Sequence, residues 1–180
     1  HYHYPVARLV VIVYLAAFRQ GTFNLETMVP DEPISVPDGK EQGAKWISNY
    51  DDQFKGMIPL REALAESRNA VAIWITGQIG IASVLRTSRS LGVRTRLQPY
   101  ATTALGASEV NLLELANAYR TMASGIRAQP YLIRKIVQDS GAIAVDEEHG
   151  RFPVDIDEAA LPLIQEGMRG VVRIPAGTGH

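Results

Sequence analysis

The sequence predicts a mainly helical α+β fold, and three observations carry that prediction. Asn111 and Glu114 stand at capping-box spacing before an apolar stripe of Leu112, Leu115, Ala116, Tyr119 and Met122, which ends near Gly125. Two strand-like runs, Tyr131 to Val137 and Ala142 to Val145, flank Asp139-Ser140-Gly141 and read as a hairpin. A last helix follows the capping residue Asp157, with Leu161, Ile164, Met168 and Val171 on one face.

The other elements follow in chain order. Val6 to Arg19 shows no polar face, which suits a helix buried on all sides. Its β-branched run Val10 to Val13 equally suits a buried strand, and periodicity does not separate the two. Gly21 is the stop. Asn24 to Trp46 carries three prolines and two glycines without apolar periodicity, and reads as an irregular surface connection. Pro59 can open a helix running to about Glu66, with Leu60, Ala63 and Leu64 facing inward. A second helix is expected over Ala70 to Thr76. A third is expected over Ile81 to Leu91, closed by Gly92 as a left-handed C-cap.

Composition narrows the function classes. The 180 residues, 46% of them hydrophobic, suffice for one cored domain or a large piece of one. Eighteen basic against nineteen acidic residues leave a net charge of −1, which gives no reason to expect nucleic acid or an anionic membrane as partner. With no cysteine, disulfides and thiolate metal sites are excluded and the redox compartment stays open. Val6 to Phe18 is apolar apart from Arg8 but falls short of the roughly 20 residues that span a bilayer, and no small-residue cleavage site follows it. The expectation is a soluble, globular chain without an anchor of its own. His1 and His3 read as a chain end rather than metal ligands. Arg86, Arg89, Arg94 and Arg96 form a basic cluster, read as a solvated face rather than a nucleic-acid surface.

The chemistry-bearing motif is Ser67-Arg68-Asn69, a hydroxyl and a carboxamide two residues apart after a short helical pattern. Alone it reads as a turn, since serine and asparagine bond local backbone readily. Its neighbours change that reading. Trp46-Ile-Ser-Asn-Tyr-Asp51 and Phe54-Lys55-Gly56 precede it; Thr103 to Val110 and Leu113 to Tyr119 follow it. Together with Thr27 to Ile34 and Pro59 to Ile73, these segments resemble the transpeptidase domain of class A penicillin-binding proteins, the bifunctional peptidoglycan synthases. Leu-Gly-x-x-Glu-Val and Leu-Glu-Leu-Ala-x-Ala-Tyr are the strongest matches. The resemblance runs from about residue 13 to residue 179.

That resemblance implies a partial serine β-lactamase-like fold in one domain over residues 1–180: a helical subdomain plus part of an antiparallel sheet. It implies peptidoglycan D,D-transpeptidase chemistry, in which Ser67 relays a proton to the leaving nitrogen and Asn69 bonds the substrate amide. It also implies stem peptides and β-lactams as ligands, cell-wall synthesis partners, no cofactor or metal, no nucleic acid, and an extracytoplasmic location anchored by a segment outside this sequence.

The sequence also departs from the family. Counting back from Tyr14 places Ala7 where the nucleophilic serine is expected and Val10 where the lysine is expected. That pair belongs three residues apart on a helix, sharing a face, because a serine hydroxyl needs a neighbouring base. Ser83-Val-Leu-Arg86 has the spacing, but guanidinium is not a usable base. Gly177-Thr178-Gly179 reads as the loop upstream of a Lys-[Thr/Ser]-Gly motif, which falls beyond it. The polypeptide as written is therefore expected to be inactive. A non-catalytic relative that binds peptidoglycan or a cell-wall partner, and a purely structural piece, stay open as alternatives.

Overall fold

The computed structural model describes residues 9–37, 43–146 and 150–179. Helix α1 (Val10–Phe18) is buried along its length except at Val11. A nine-residue helix is marginal alone in water, so packing decides between the two conformations its sequence allows. Once the helix is enclosed, each apolar side chain gains about 1.5–3 kcal/mol of burial whatever direction it points. Of the two conformations open to Val6 to Arg19, the helix forms, from Val10 to Phe18; residues 6–8 lie outside the described residues.

Around α1 pack α3 (Asn69–Ile79), α4 (Ile81–Ser90), α6 (Ala160–Arg173) and a short 3₁₀ segment (Ala101–Leu105). The end of α1 is tied to α4 through Arg19, which donates to the hydroxyls of Thr87 and Ser90, each at 3.3 Å. Helix α2 (Leu60–Ala65) lies against α6, and α5 (Leu112–Ser124) closes with Gly125 in the left-handed conformation at φ +69°. The expected third helix ends at Ser90, and Gly92 takes the predicted positive φ of 96°.

Among the described residues the strands form four two-stranded antiparallel sheets. β1 (Met28–Asp31) pairs with β4 (Gly56–Pro59), and β2 (Ile34–Pro37) with β3 (Ala44–Ile47). The irregular connection expected from Asn24 to Trp46 is thus corrected: it holds β1, β2 and most of β3. In a two-stranded ladder every strand has a free edge, so Pro30 and Pro37 need donate nothing to a neighbour. β5 (Ile126–Ala128) pairs with β8 (Arg151–Pro153), and β6 (Lys135–Val137) with β7 (Ile143–Asp146), which is the expected hairpin.

Two helix details differ from the sequence reading. Asn111 caps α5 as expected, its Oδ1 accepting from Leu113 N at 2.8 Å. Glu114 does not close the capping box. Its Oε2 accepts from the backbone of Arg94 (3.2 Å) and Thr95 (3.0 Å) and from the Thr95 hydroxyl (2.7 Å), a tertiary use that out-competes the local one. The α5 stripe is also rotated. Leu112 is 79% exposed, while Ala118, Thr121 and Met122 are buried. At the other end, Asp157 caps the turn before α6, its carboxylate accepting from Ala159 N at 2.8 Å.

Where α6 crosses α2, Gly167 permits close approach: a Cβ there would stand 2.5 Å from Leu64 Cδ2 and 3.1 Å from Leu25 Cδ2. Gly167→Ala is expected to destabilise the domain by about 1–3 kcal/mol through overpacking, despite alanine's better helix propensity. Thermal denaturation checks this; a gain in stability would show that the α2–α6 contact yields freely.

Candidate functional site

The chain leaves α2 through a Schellman turn. Ser67 N donates to Leu64 O at 3.1 Å and Arg68 N to Ala63 O at 2.9 Å, the two bonds that define the motif. The motif requires a left-handed residue at its penultimate position, usually glycine, and here that residue is Ser67 at φ +54°. A side chain in this conformation costs of order 1 kcal/mol, so a serine there points to a use for its hydroxyl. Arg68 returns to extended backbone and Asn69 begins α3.

Asn69 and Ser67 are both half-buried. Asn69 Nδ2 donates to the Ser48 carbonyl at 3.0 Å, which fixes the plane of its amide. Its Oδ1 makes no hydrogen bond among the described residues and is placed to accept one. The next amide of α3, Ala70 N, is capped from another segment: it donates to Asn49 Oδ1 at 3.2 Å.

Arg68, the middle residue, is buried and carries the bracing of the turn. Its Nε donates to Glu66 Oε2 at 2.9 Å, and Nη1 reaches both Asp51 oxygens at 2.9 Å. Asp31, fully buried, lies 3.7 Å from Nε. Asp31 in turn accepts from Asn49 Nδ2 (2.7 Å) and Lys55 N (3.1 Å), while Lys55 Nζ bridges Glu62 (2.7 Å) and Glu66 (2.6 Å). Burial pushes the Glu66 carboxyl up, but the hydrogen bonds and charges of Lys55 and Arg68 outweigh it and hold it below the usual range. Asp51 is likewise lowered, first by a backbone hydrogen bond from Gln53 and, against its partial desolvation, by Arg68.

On the α1 side of this network sits Tyr14, wholly buried, its hydroxyl without a hydrogen bond among the described residues. Burial first, then the negative Asp31, hold this phenol far above the usual tyrosine range, so it stays neutral. Asp31 therefore lies within electrostatic reach of Tyr14 and 3.7 Å from Arg68 Nε.

The sequence-derived site residues divide as follows. Ser67 and Asn69 share one turn, as expected. Val10, at the position expected for lysine, is a buried residue in the first turn of α1. Ala7 lies outside the described residues. Gly177-Thr178-Gly179 docks beside the turn: Thr178 N donates to Ala65 O at 3.1 Å and Gly179 N to Val171 O at 3.0 Å. A Cβ on Gly177 would meet Val171 O at 2.3 Å, so the loop requires glycine there. No local signal marks Asp31, Asn49, Asp51 or Glu66: Asn49 stands 18 residues from Asp31, Arg68 17 from Asp51, and Lys55 11 from Glu66, so their only signal is membership of the segments that carry the resemblance.

Known proteins resemble this chain in sequence and in fold. The family model of the penicillin binding protein transpeptidase domain matches residues 11–180. Penicillin-binding protein 1A of Aquifex aeolicus is 33% identical over 170 residues, which cover 87% of this chain and 23% of that protein. The chain thus spans under a quarter of that relative's length. Penicillin-binding protein 1A from Haemophilus influenzae superposes with a TM-score of 0.83 at 22% identity, over 96% of this chain and 31% of the other. PonA1 from Mycobacterium tuberculosis, solved in complex with penicillin V, gives a TM-score of 0.73 at 21% identity, over 89% and 45% of the two chains. The fold is that of penicillin-binding protein transpeptidase domains, α+β and β-lactamase-like, with the Ser-x-Asn turn at the head of α3. The chain belongs to the penicillin-binding protein transpeptidase family, in its class A branch.

Proposed function

We propose that this chain is the Ser-x-Asn half of a peptidoglycan D,D-transpeptidase site, and that as written it forms no acyl-enzyme. The strained left-handed Ser67, seated on a buried ionic brace, carries this reading. In a chain with serine and lysine at positions 7 and 10, the serine oxygen attacks the penultimate D-alanine carbonyl and the C–N bond breaks. The serine proton leaves through the lysine and Ser67 to the departing nitrogen, and free D-alanine is released. A neighbouring amine then attacks the ester, forming the cross-link and restoring the serine. Asn69, its Nδ2 held by Ser48, offers Oδ1 to the substrate amide N–H.

Ala7 and Val10 remove both nucleophile and base from this scheme. Val10 is 2% exposed and packs as core, which favours, as the second reading, a non-catalytic member that retains a cleft for peptide or partner. Penicillin V bound by PonA1 supports β-lactams as ligands of the intact family site. Among the described residues no single helix is long and apolar enough to cross a membrane. We assign the chain to the outer side of the cytoplasmic membrane, because the relatives it matches are penicillin-binding proteins.

Incubation with fluorescent penicillin, followed by denaturing electrophoresis, tests the assignment. No covalent label is expected, because without its nucleophile an acyl-transfer site retains only binding and oxyanion stabilisation. A stoichiometric, denaturation-resistant label would overturn the inactive reading and locate a nucleophile elsewhere.

A further inference from the structure

Charge in this chain is unevenly placed. Between Ile81 and Lys135 lie eight of its eighteen basic residues and only two of its nineteen acidic ones, Glu109 and Glu114. Three of those bases, Arg89 from the last turn of α4, Arg94 from the loop after it and Arg127 from β5, line one cleft of about 570 Å³. Their guanidinium groups make no hydrogen bond or ion pair among the described residues, and all three side chains are exposed. The carboxylate in the lining, Glu114, is already committed to the backbone of Arg94 and Thr95 and to the Thr95 hydroxyl. It feels the charge of Arg94 but leaves the other two arginines unneutralised.

The lining also includes Leu113 and Phe152, which are 60% and 58% exposed, and the exposed Gln129; the Asn117 amide is committed, donating to Ala128 O at 3.0 Å and accepting from Arg120 Nε at 3.0 Å. Cations, an aromatic face and an amide group in one concavity are the elements of a recognition site. The cleft shares no lining residue with the Ser67 turn or its brace.

We propose that this cleft docks a short, carboxylate-rich peptide segment of a partner protein. Its acidic side chains pair with Arg89, Arg94 and Arg127, and an apolar side chain rests on Leu113 and Phe152. Charge complementarity selects the occupant, and a cleft of about 570 Å³ admits only a short segment of it. The inference is independent of acyl transfer and holds whether or not the chain is active.

The test is fluorescence anisotropy with the full chain and a labelled hexapeptide, Glu-Phe-Asp-Glu-Leu-Glu. Saturable binding is expected, weakened about tenfold between low and physiological salt because the pairs are solvent-exposed. The triple variant Arg89→Gln/Arg94→Gln/Arg127→Gln should bind at least about thirtyfold more weakly, while Arg169→Gln, outside the cleft, should bind as the unmodified chain does. A peptide with lysine at every acidic position should not bind the unmodified chain, a readout that does not depend on any variant folding. Absence of saturable binding, or equal binding by the triple variant, would overturn the proposal. An oligonucleotide of equal charge binding as tightly would overturn its peptide specificity. Glu147 and Glu148 precede the cleft residue Gly150 in sequence. A gain above about tenfold in Glu147→Gln/Glu148→Gln would show the arginines already engaged in cis, and would overturn docking of a partner.

Discussion

Arg68→Met is expected to lower the stability of the domain by about 3–5 kcal/mol, the cost of breaking a buried ion pair by removing one partner. At about 2–4 °C per kcal/mol for a chain of this size, the melting temperature should fall by roughly 6–20 °C. Arg68 and Asp31 are buried, and the Glu66 carboxylate is 7% exposed, so solvent cannot take over those contacts; it reaches only Asp51, which is 45% exposed. Methionine keeps much of the volume, so the loss reports charge rather than a cavity.

The pH dependence has a definite sign. Glu66 is held below its ordinary value of 4.5 in the folded state, by Lys55 and Arg68 acting against burial. A lowered carboxyl contributes stability that is fully present above its unfolded pKa and is lost as pH falls through the folded one. Without Arg68 much of that contribution disappears. The gap between the two proteins should therefore be widest above pH 4.5 and narrow below it. Denaturant unfolding at pH 7 and pH 4 measures both numbers. A loss under about 1 kcal/mol at pH 7 would reduce the brace to the level of a surface pair.

Ser67→Gly and Ser67→Ala should separate stability from chemistry, in a longer chain that carries the Ser-x-x-Lys and Lys-Thr-Gly segments. Glycine relieves the left-handed backbone and is expected to stabilise the fold by up to about 1 kcal/mol, whereas alanine keeps the strain. Both remove the hydroxyl, and both should slow acylation by about 10²–10⁴-fold, the usual worth of one positioned proton-transfer group. The combination is diagnostic: Ser67→Gly should melt higher and react more slowly. If it acylates penicillin within about threefold of the parent rate, far short of a lost relay, Ser67 is a turn residue and its catalytic assignment falls.

Much of the fold was legible because its signals are local. Asn111 and Gly125 bracket α5 by side-chain capping and positive φ, and Gly92 closes α4 in the same way. The hairpin at residues 135–146 announced itself through Asp139-Ser140-Gly141. The Ser67 turn was legible through its neighbours, since Ser-x-Asn alone is common turn chemistry.

The family, the order of the helices and the turn that bears Ser67 and Asn69 were therefore readable from the residues alone. Counting along the chain gives Ala7 and Val10 as the positions expected for a nucleophile and base. That the 10–18 segment is a helix follows from packing, because burial on every side satisfies either conformation until neighbours are present. Tertiary structure likewise turned Glu114 from its own helix cap to the Arg94–Thr95 backbone, and drew strands from the proline-bearing connection. The brace of Asp31, Asn49, Asp51, Glu66 and Arg68 is the clearest case. Each member reads as an ordinary surface charge or amide in sequence. Only when strands β1 and β4 bring residue 31 against the head of α3 does burial make their pairing obligatory.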